Sequence, residues 1–248
     1  MVYAYAAKGV SLQEGLQKSL EQALGKLPIP KVMQYQLHEN CELPGWSTVS
    51  FVRPAHGLVA LFGDNIVNVN VLGLNAGNHT LGHRFEAKTT PVIIQNADTY
   101  EQNLQTDGAV IADFEKRKAE IAHQLMTATQ SLGPSFQCEL DPGLLNEVTA
   151  LVERPNVVRC QFDEQFLKVP QECLILTMKT NQKYFPILAQ GGKLTNHFLV
   201  VSNISAPDMS AVIGGNERVV RPRLADAKFF YDQDRKKSLE SRVAGLDK

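Results

Sequence analysis

Residues 111–132 constrain the fold more than any other stretch of this chain. Ile111, Phe114, Ile121, Leu125, Ala128 and Leu132 recur at steps of three, four and seven residues, the spacing that lines one face of an α-helix. Lys118 is the one polar residue on that face, while Glu115, Lys116 and Glu120 fall opposite. Gly133-Pro134 ends the pattern. A helix with one apolar stripe is stable only when other elements cover the stripe. The chain must therefore supply a second layer.

It does so with both helices and strands. Ser11 and Glu14 form a capping box ahead of Leu16, Leu20, Ala23 and Leu27 at helical spacing, and Pro28 and Pro30 stop that helix. Strand-like runs follow at 31–37, 48–53, 57–62 and 66–72. In the last, Val67, Val69 and Val71 alternate with Asn68 and Asn70. Gly63-Asp64-Asn65 suits a hairpin turn. Residues 73–82 read as a glycine-rich link, 91–94 as a short strand and 96–105 as a short helix. Beyond Gly133, residues 142–153 predict a helix with Leu145, Val148 and Val152 inward, stopped by Arg154-Pro155. A strand at 157–162, a helix from Pro170 to Met178, and paired strands at 184–188 and 197–201 across Gly191-Gly192 come next. Residues 207–214 read as helical, and Leu239, Val243 and Leu246 keep helical spacing near the end. The expected fold is α+β, with two subdomains of mainly antiparallel sheets packed by helices, at 1–135 and 136–248.

Composition removes several function classes. The net charge of −1 leaves no global field for nucleic acid, so any such contact must come from a local patch. Cys41, Cys138, Cys160 and Cys173 are widely spaced, which supports neither a disulfide framework nor a zinc site. His79 and His83 stand four apart, but Gly77, Thr80 and Gly82 surround them in a non-helical context, so no metal site is expected. The first ten residues lack a secretory pattern, and no apolar run is long enough to span a bilayer. A cytoplasmic location without membrane contact is the expectation. No phosphate loop, dinucleotide fingerprint or nucleophile elbow is present, and no catalytic residue is assigned.

The strongest local patch is 214–237, with seven Lys/Arg against four Asp/Glu. Arg218, Arg221 and Arg223 flank Pro222, a residue suited to the first position of a helix. Leu224, Ala227 and Tyr231 then give that helix an apolar stripe. Each guanidinium is a planar fork of donors that matches phosphate or carboxylate. The cluster reads either as a grip on phosphate or as a salt-bridged helix start docked on a neighbour. Asn181, Gln182, Lys183 and Tyr184 combine amides, a cation and a ring, the palette of single-stranded nucleic-acid contact, and also suit an aromatic core strand after a polar turn. His83 and Arg84 precede Phe85, a cation beside an aromatic that stacks on a base or pins a loop. Arg53 and His56 flank Pro54 at a strand end, where they suit RNA or partner contact, or a hydrogen-bonded structural His56.

Several motifs together resemble a known family. LPIPK (27–31), FVRPAHGLVALFG (51–63), GHRF (82–85), EVTALVERP (147–155), FLKVPQECL (166–174), MKTNQKYFP (178–186) and GNERVVRPRLADAKFFYDQDRKK (215–237) are similar, in order and spacing, to the β subunit of bacterial heterotetrameric glycyl-tRNA synthetases. Two departures stand out: the family often reads Met-Arg-Trp after LPIPK where this chain has Val32, Met33, Gln34 and Tyr35, and it commonly has Trp where this chain has Gly57. The resemblance implies a part of glycine–tRNA ligase that contributes tRNA(Gly) binding and assembly with the α subunit. Glycine and ATP, with Mg, are then handled on α, and this portion binds no cofactor and is inactive alone. It also implies that family chains continue into further domains, so this one corresponds to an N-terminal to middle portion. Two rivals to RNA contact are a pure assembly module and an autonomous enzyme that clamps a phosphorylated small molecule with its arginines.

Overall fold

The computed structural model describes residues 9–39 and 41–243. The chain divides into two compact units, Met1–Val110 and Ile111–Lys248. Both mix helices with mostly antiparallel strands, an α+β architecture. The division falls at 110/111 rather than at 135/136 because the helix of residues 114–130 buries its stripe in the second unit.

In the first unit, helix α1 (Leu12–Gly25) starts at the Ser11–Glu14 capping box, with the Ser11 hydroxyl accepting from Glu14 N at 3.2 Å. None of its residues is buried. Gln17 ties it down: the side-chain amide donates to Asn70 O at 2.7 Å and accepts from Asn70 N at 2.9 Å. Strands β1 (Met33–Gln36) and β2 (Thr48–Phe51) pair antiparallel. Short strands follow: β3 (Leu58–Val59), β4 (Leu61–Phe62), β5 (Asn65–Ile66), β6 (Asn70–Val71), β7 (Leu74–Gly77), β8 (His79–Thr80) and β9 (Val92–Ile93). Gly63-Asp64 turns β4 into β5, as expected of that sequence. The stretch 73–82 is not a loose link: β7 pairs with both β3 and β6, and β8 with β9. Gly77 is taken into the β7 ladder, whereas Gly73 turns β6 into β7 at φ +74° and Gly82 follows β8. Helix α2 (Tyr100–Thr106) closes the unit, whose core holds Val67, Val69, Val92, Ile94 and Leu104.

In the second unit, the inner part of the predicted stripe is buried, whereas Ile111 precedes the helix and Phe114 at its first position is 37% exposed. Helix α3 (Phe114–Gln130) is capped by Asp113 and buries Ile121 and Leu125. Next come β10 (Gln137–Cys138), α4 (Pro142–Leu151), β11 (Asn156–Gln161) and α5 (Gln171–Leu176), then a π-helical turn at Thr177–Gln182, and then β12 (Phe185–Ala189) and β13 (Lys193–Ser202). The four strands form one antiparallel sheet in the order β10-β12-β13-β11. The β12–β13 turn places Gly191 and Gly192 at φ +80° and +76°, which side chains rarely tolerate. One sheet face carries Phe185, Ile187 and Leu199 against α3 and α4. The other carries Val158, Cys160, Phe198 and Val200 against α5 and α6 (Ser210–Asp234).

Helix α6 departs from expectation. It is one helix of 25 residues with Pro222 inside it, not a short helix followed by a new start at Pro222. Met209 just before it, then Ile213, Val220, Leu224, Ala227 and Tyr231 make a continuous stripe on the sheet core. Burial of that stripe outweighs the loss of one ladder hydrogen bond at Pro222, which sits exposed on the outer face. Helix α7 (Glu240–Val243) follows, and Leu246 lies outside the described residues.

Phe198 is fully buried, with ring centroids 4.9 Å from Tyr184 and 6.3 Å from Phe162. Phe198→Ala is expected to cost about 3–5 kcal/mol of unfolding free energy. The exposed Phe62→Ala is expected to stay within about 0.5 kcal/mol. Denaturant titration of both variants checks this.

Candidate functional site

Helix α6 is locked in rotation by its second and third turns. Glu217 Oε1 accepts from Gln161 N at the end of β11, at 2.9 Å. Asn216 Oδ1 accepts from the Tyr184 hydroxyl at 2.8 Å, and Asn216 Nδ2 donates to Val212 O at 2.8 Å. With the stripe and these bonds facing the sheet, Arg218, Arg221 and Arg223 are all exposed. They are not one cluster. At about 100° per residue, Arg218 and Arg221 lie about 60° apart on one flank, and Arg223 lies about 160° from Arg221 on the other. None of the three forms a hydrogen bond or ion pair among the described residues. The Arg218 guanidinium lies over the preceding turn, where a Cβ on Gly214 would stand 3.4 Å from Nη1.

The first flank continues beyond the residues singled out from sequence. Lys228 and Arg235 follow Arg221 at steps of seven, close to two helical turns each. Lys228 Nζ is 2.6 Å from Asp232 Oδ2, and the Arg235 guanidinium sits 5.5 Å from the Tyr231 ring centroid. The sevenfold recurrence was the available signal, and it is meaningful only if Pro222 does not break the helix. The second flank carries Val219, Arg223, Asp226 and Phe230 at i, i+4, i+7 and i+11, with Val219 48% and Phe230 63% exposed. Arginines exposed on opposite sides of a helix do not form a clamp around a small phosphorylated molecule.

The NQKYFP segment turns inward. Tyr184 is buried and stacks on Phe198, and burial pushes its phenol up to about 12. It is a core ring rather than a base-stacking surface. Asn181 is exposed and Gln182 half-buried at the end of the π-helical turn. Lys183 closes that turn in the left-handed region, at φ +60°, and its ammonium is 2.9 Å from Glu147. Lys179, which sequence reasoning did not single out, reaches Asp141 at 2.7 Å and Glu139 at 3.6 Å. The Lys179 hydrogen bond and the backbone N–H of Leu144 hold the Asp141 carboxyl below its usual range. Burial pulls the Lys179 ammonium down, but Asp141 and Glu139 together raise it. Lys179, Lys183, Asp141 and Glu147 line an open groove of about 580 Å³ with Leu144, Ile175 and Glu172. Both lysines there are paired with acids, so the groove offers no uncompensated cation.

In the first unit, His83 is buried. Its Nδ1 accepts from the backbone N–H groups of Phe85 and Glu86, at 3.3 and 3.2 Å. Arg84 is exposed, as are Arg53 and His56, and neither Arg53 nor His56 hydrogen-bonds among the described residues. His56 is therefore not the hydrogen-bonded structural histidine that burial statistics favour. Among the described residues, no group of three or more His, Cys, Asp or Glu is placed to hold a metal, and no helix is long and apolar enough to cross a membrane. Burial raises the Cys138 and Cys160 thiols to about 12, far from nucleophilic use at neutral pH.

Against known proteins, residues 1–248 match the family model described as glycyl-tRNA synthetase beta subunit. The chain is 66% identical over 248 residues to a glycine–tRNA ligase beta subunit of Polaromonas naphthalenivorans (strain CJ2), covering 100% of this chain and 35% of that protein. It is 67% identical over 246 residues to the same-named protein of Dechloromonas aromatica (strain RCB), covering 98% and 34%. The chain thus spans about a third of the length of these relatives.

The Lys179–Asp141 pair gives a pH test. Asp141 caps α4, and Asn caps comparably well, so Asp141→Asn removes charge while keeping the cap. Because the folded carboxyl titrates below 3.8, the charged form stabilises the fold fully above that pH. The stabilisation is lost as pH falls from 3.8 through the lower folded value. The variant is expected to unfold earlier than wild type at neutral pH, with the gap closing only in acid. Thermal midpoints across pH measure it.

Proposed function

Because the chain belongs to the glycyl-tRNA synthetase beta subunit family, we propose that it serves glycyl-tRNA formation as an RNA- and partner-contacting portion of a β subunit. On this reading tRNA(Gly) is the nucleic acid and an α subunit the partner. ATP, Mg and glycine are handled on that α subunit, in the cytoplasm and within a heterotetramer. The observation that supports RNA contact is the basic flank of α6. On a chain with net charge −1, Arg218 and Arg221 are exposed side by side without acidic partners, on a rotationally locked helix. Guanidinium forks bind phosphate oxygens bidentately, and such contacts position a nucleic acid without reading its sequence. The flank's extension through Lys228 and Arg235 follows a backbone rather than one phosphate.

A second reading rests on a different observation. Val219 and Phe230 are exposed with Arg223 and Asp226 between them, a mix of apolar and charged groups that suits a protein neighbour better than RNA. Assembly and RNA contact then use opposite flanks of one helix.

The test uses the full two-subunit enzyme. Arg218→Glu with Arg221→Glu is expected to weaken tRNA binding and aminoacylation roughly 10- to 100-fold. It should also flatten the salt dependence of binding by about one to two in log–log slope. Glycine-dependent ATP–pyrophosphate exchange should remain near wild type. Arg223→Glu is expected to spare tRNA affinity. Parallel loss of both activities in the double variant would instead indicate failed assembly.

A further inference from the structure

The loop after β8 is built in an unusual way for a surface turn. Gly82 passes so close to Gly108 that a Cβ would stand 2.6 Å from its Cα and carbonyl oxygen, leaving no room for a side chain. His83 N donates to Gly108 O at 2.6 Å, and Lys88 N donates to Asp107 O at 2.8 Å, so both ends of the loop are fixed to one segment. Between them the buried His83 ring accepts two backbone N–H groups, and Ala87 N donates to His83 O at 3.1 Å. The loop is thereby held from within. What it presents is Phe85, 70% exposed, with the Arg84 guanidinium 5.6 Å from its ring centroid. Leu81 and Lys88 are exposed beside it in sequence, whereas Glu86 and Asp107 are half-buried.

An exposed phenylalanine on a slack loop would turn inward. Here the fixed backbone carries Phe85 on the outer side of the loop, where its ring is 70% exposed. We propose that Arg84 and Phe85 form a stacking platform for one unpaired base of the bound tRNA, the Phe85 ring lying against the base and Arg84 engaging the base edge or its adjoining phosphate. One fixed ring carrying a cation is the chemistry that holds a base without reading its identity. A pre-ordered ring also loses little conformational freedom on binding. Arg84 and Lys88, both exposed beside the ring, favour a polyanion. The platform rests on the tRNA-contact reading but not on α6.

The experiment again uses the full two-subunit enzyme, with Phe85→Ala, Phe85→Trp and Arg84→Ala. Phe85 is exposed, so thermal midpoints are expected to stay at the wild-type value. Phe85→Ala is expected to weaken tRNA binding roughly 5- to 100-fold with an unchanged salt slope, because stacking releases no counterions. Arg84→Ala is expected to weaken binding and lower the slope by up to about one. Phe85→Trp should retain affinity, and its added emission, taken as the difference from wild-type enzyme, should be quenched on tRNA binding. Wild-type affinity in Phe85→Ala overturns the platform, as does unquenched emission in bound Phe85→Trp. Loss of α–β association in Phe85→Ala overturns it in favour of protein docking. If those negative results accompany a strong defect in the Arg218/Arg221 variant, the platform alone fails. If that variant also binds tRNA normally, the tRNA-contact reading of this portion fails with it.

Discussion

The hydrogen bond from the Tyr184 hydroxyl to Asn216 is the contact on which the second unit's outer surface depends. The Tyr184 ring is stacked in the sheet core on Phe198, and its hydroxyl reaches the first turns of α6. A buried phenol needs an acceptor, and leaving either partner unpaired carries a desolvation penalty. The bond therefore fixes both where the helix lies and how it is rotated. Glu217 adds a second fix by accepting the backbone N–H of Gln161. Two adjacent residues of α6 thus face the sheet through polar contacts while the stripe from Ile213 to Tyr231 faces it through packing. Every residue on the outside of α6, arginines included, inherits its direction from them.

The parts of the fold that sequence disclosed are those governed by local periodicity and turn chemistry. Helix α3 was legible from its three-four repeat, α1 from the capping box, and the β12–β13 turn from Gly191-Gly192. The parts it concealed are those where tertiary burial overrides local signals. Pro222 and Gly214-Gly215 look like breaks, yet α6 runs through all three because its stripe is continuous. Residues 73–82 look like a link, yet most of them enter ladders with β3, β6 and β9, with Gly73 kept for the turn between β6 and β7. The candidate site shows the same division. Arg218, Arg221 and Arg223 are neighbours in sequence, but two residues along a helix is more than half a turn, so adjacency in the chain becomes opposition in space. Tyr184 has the chemistry of a base-stacking ring and of a core ring alike, and its burial against Phe198 decides for the core.

On the proposed reading, that angular separation lets one helix meet two kinds of neighbour. The Arg218 and Arg221 flank continues through Lys228 and Arg235, with Ala225 and the Lys228-paired Asp232 between them and Phe229, 56% exposed, about 20° from Arg218. The Arg223 flank places one cation and one acid between Val219 and Phe230. A polyanion approaching the second flank would meet Asp226 and gain little from the exposed ring and valine. An apolar protein surface approaching the first would have to desolvate several charges without partners, which is costly. On the proposed reading the two flanks therefore favour different neighbours.

Lys179 and Lys183 have a different task from Arg218 and Arg221. Lys179 and Lys183, one helical step apart, reach back to Asp141 at the start of α4 and to Glu147 within it. These pairs are internal straps, and the π-helical turn with its left-handed closure at Lys183 is the backbone that brings both ammoniums to α4. A compact ammonium on a flexible stem suits that task, since it needs only to find a carboxylate. Arg218 and Arg221 meet no carboxylate, and Arg84 lies against a ring instead. Planar forks keep their directional donors available for an incoming phosphate or base, and they give up hydration more readily than ammoniums do. Lys179 and Lys183 hold the fold together, as Arg117 does by donating to the carbonyls of Ile111, Ala112 and Thr149, whereas the Arg218 and Arg221 forks keep their donors free among the described residues.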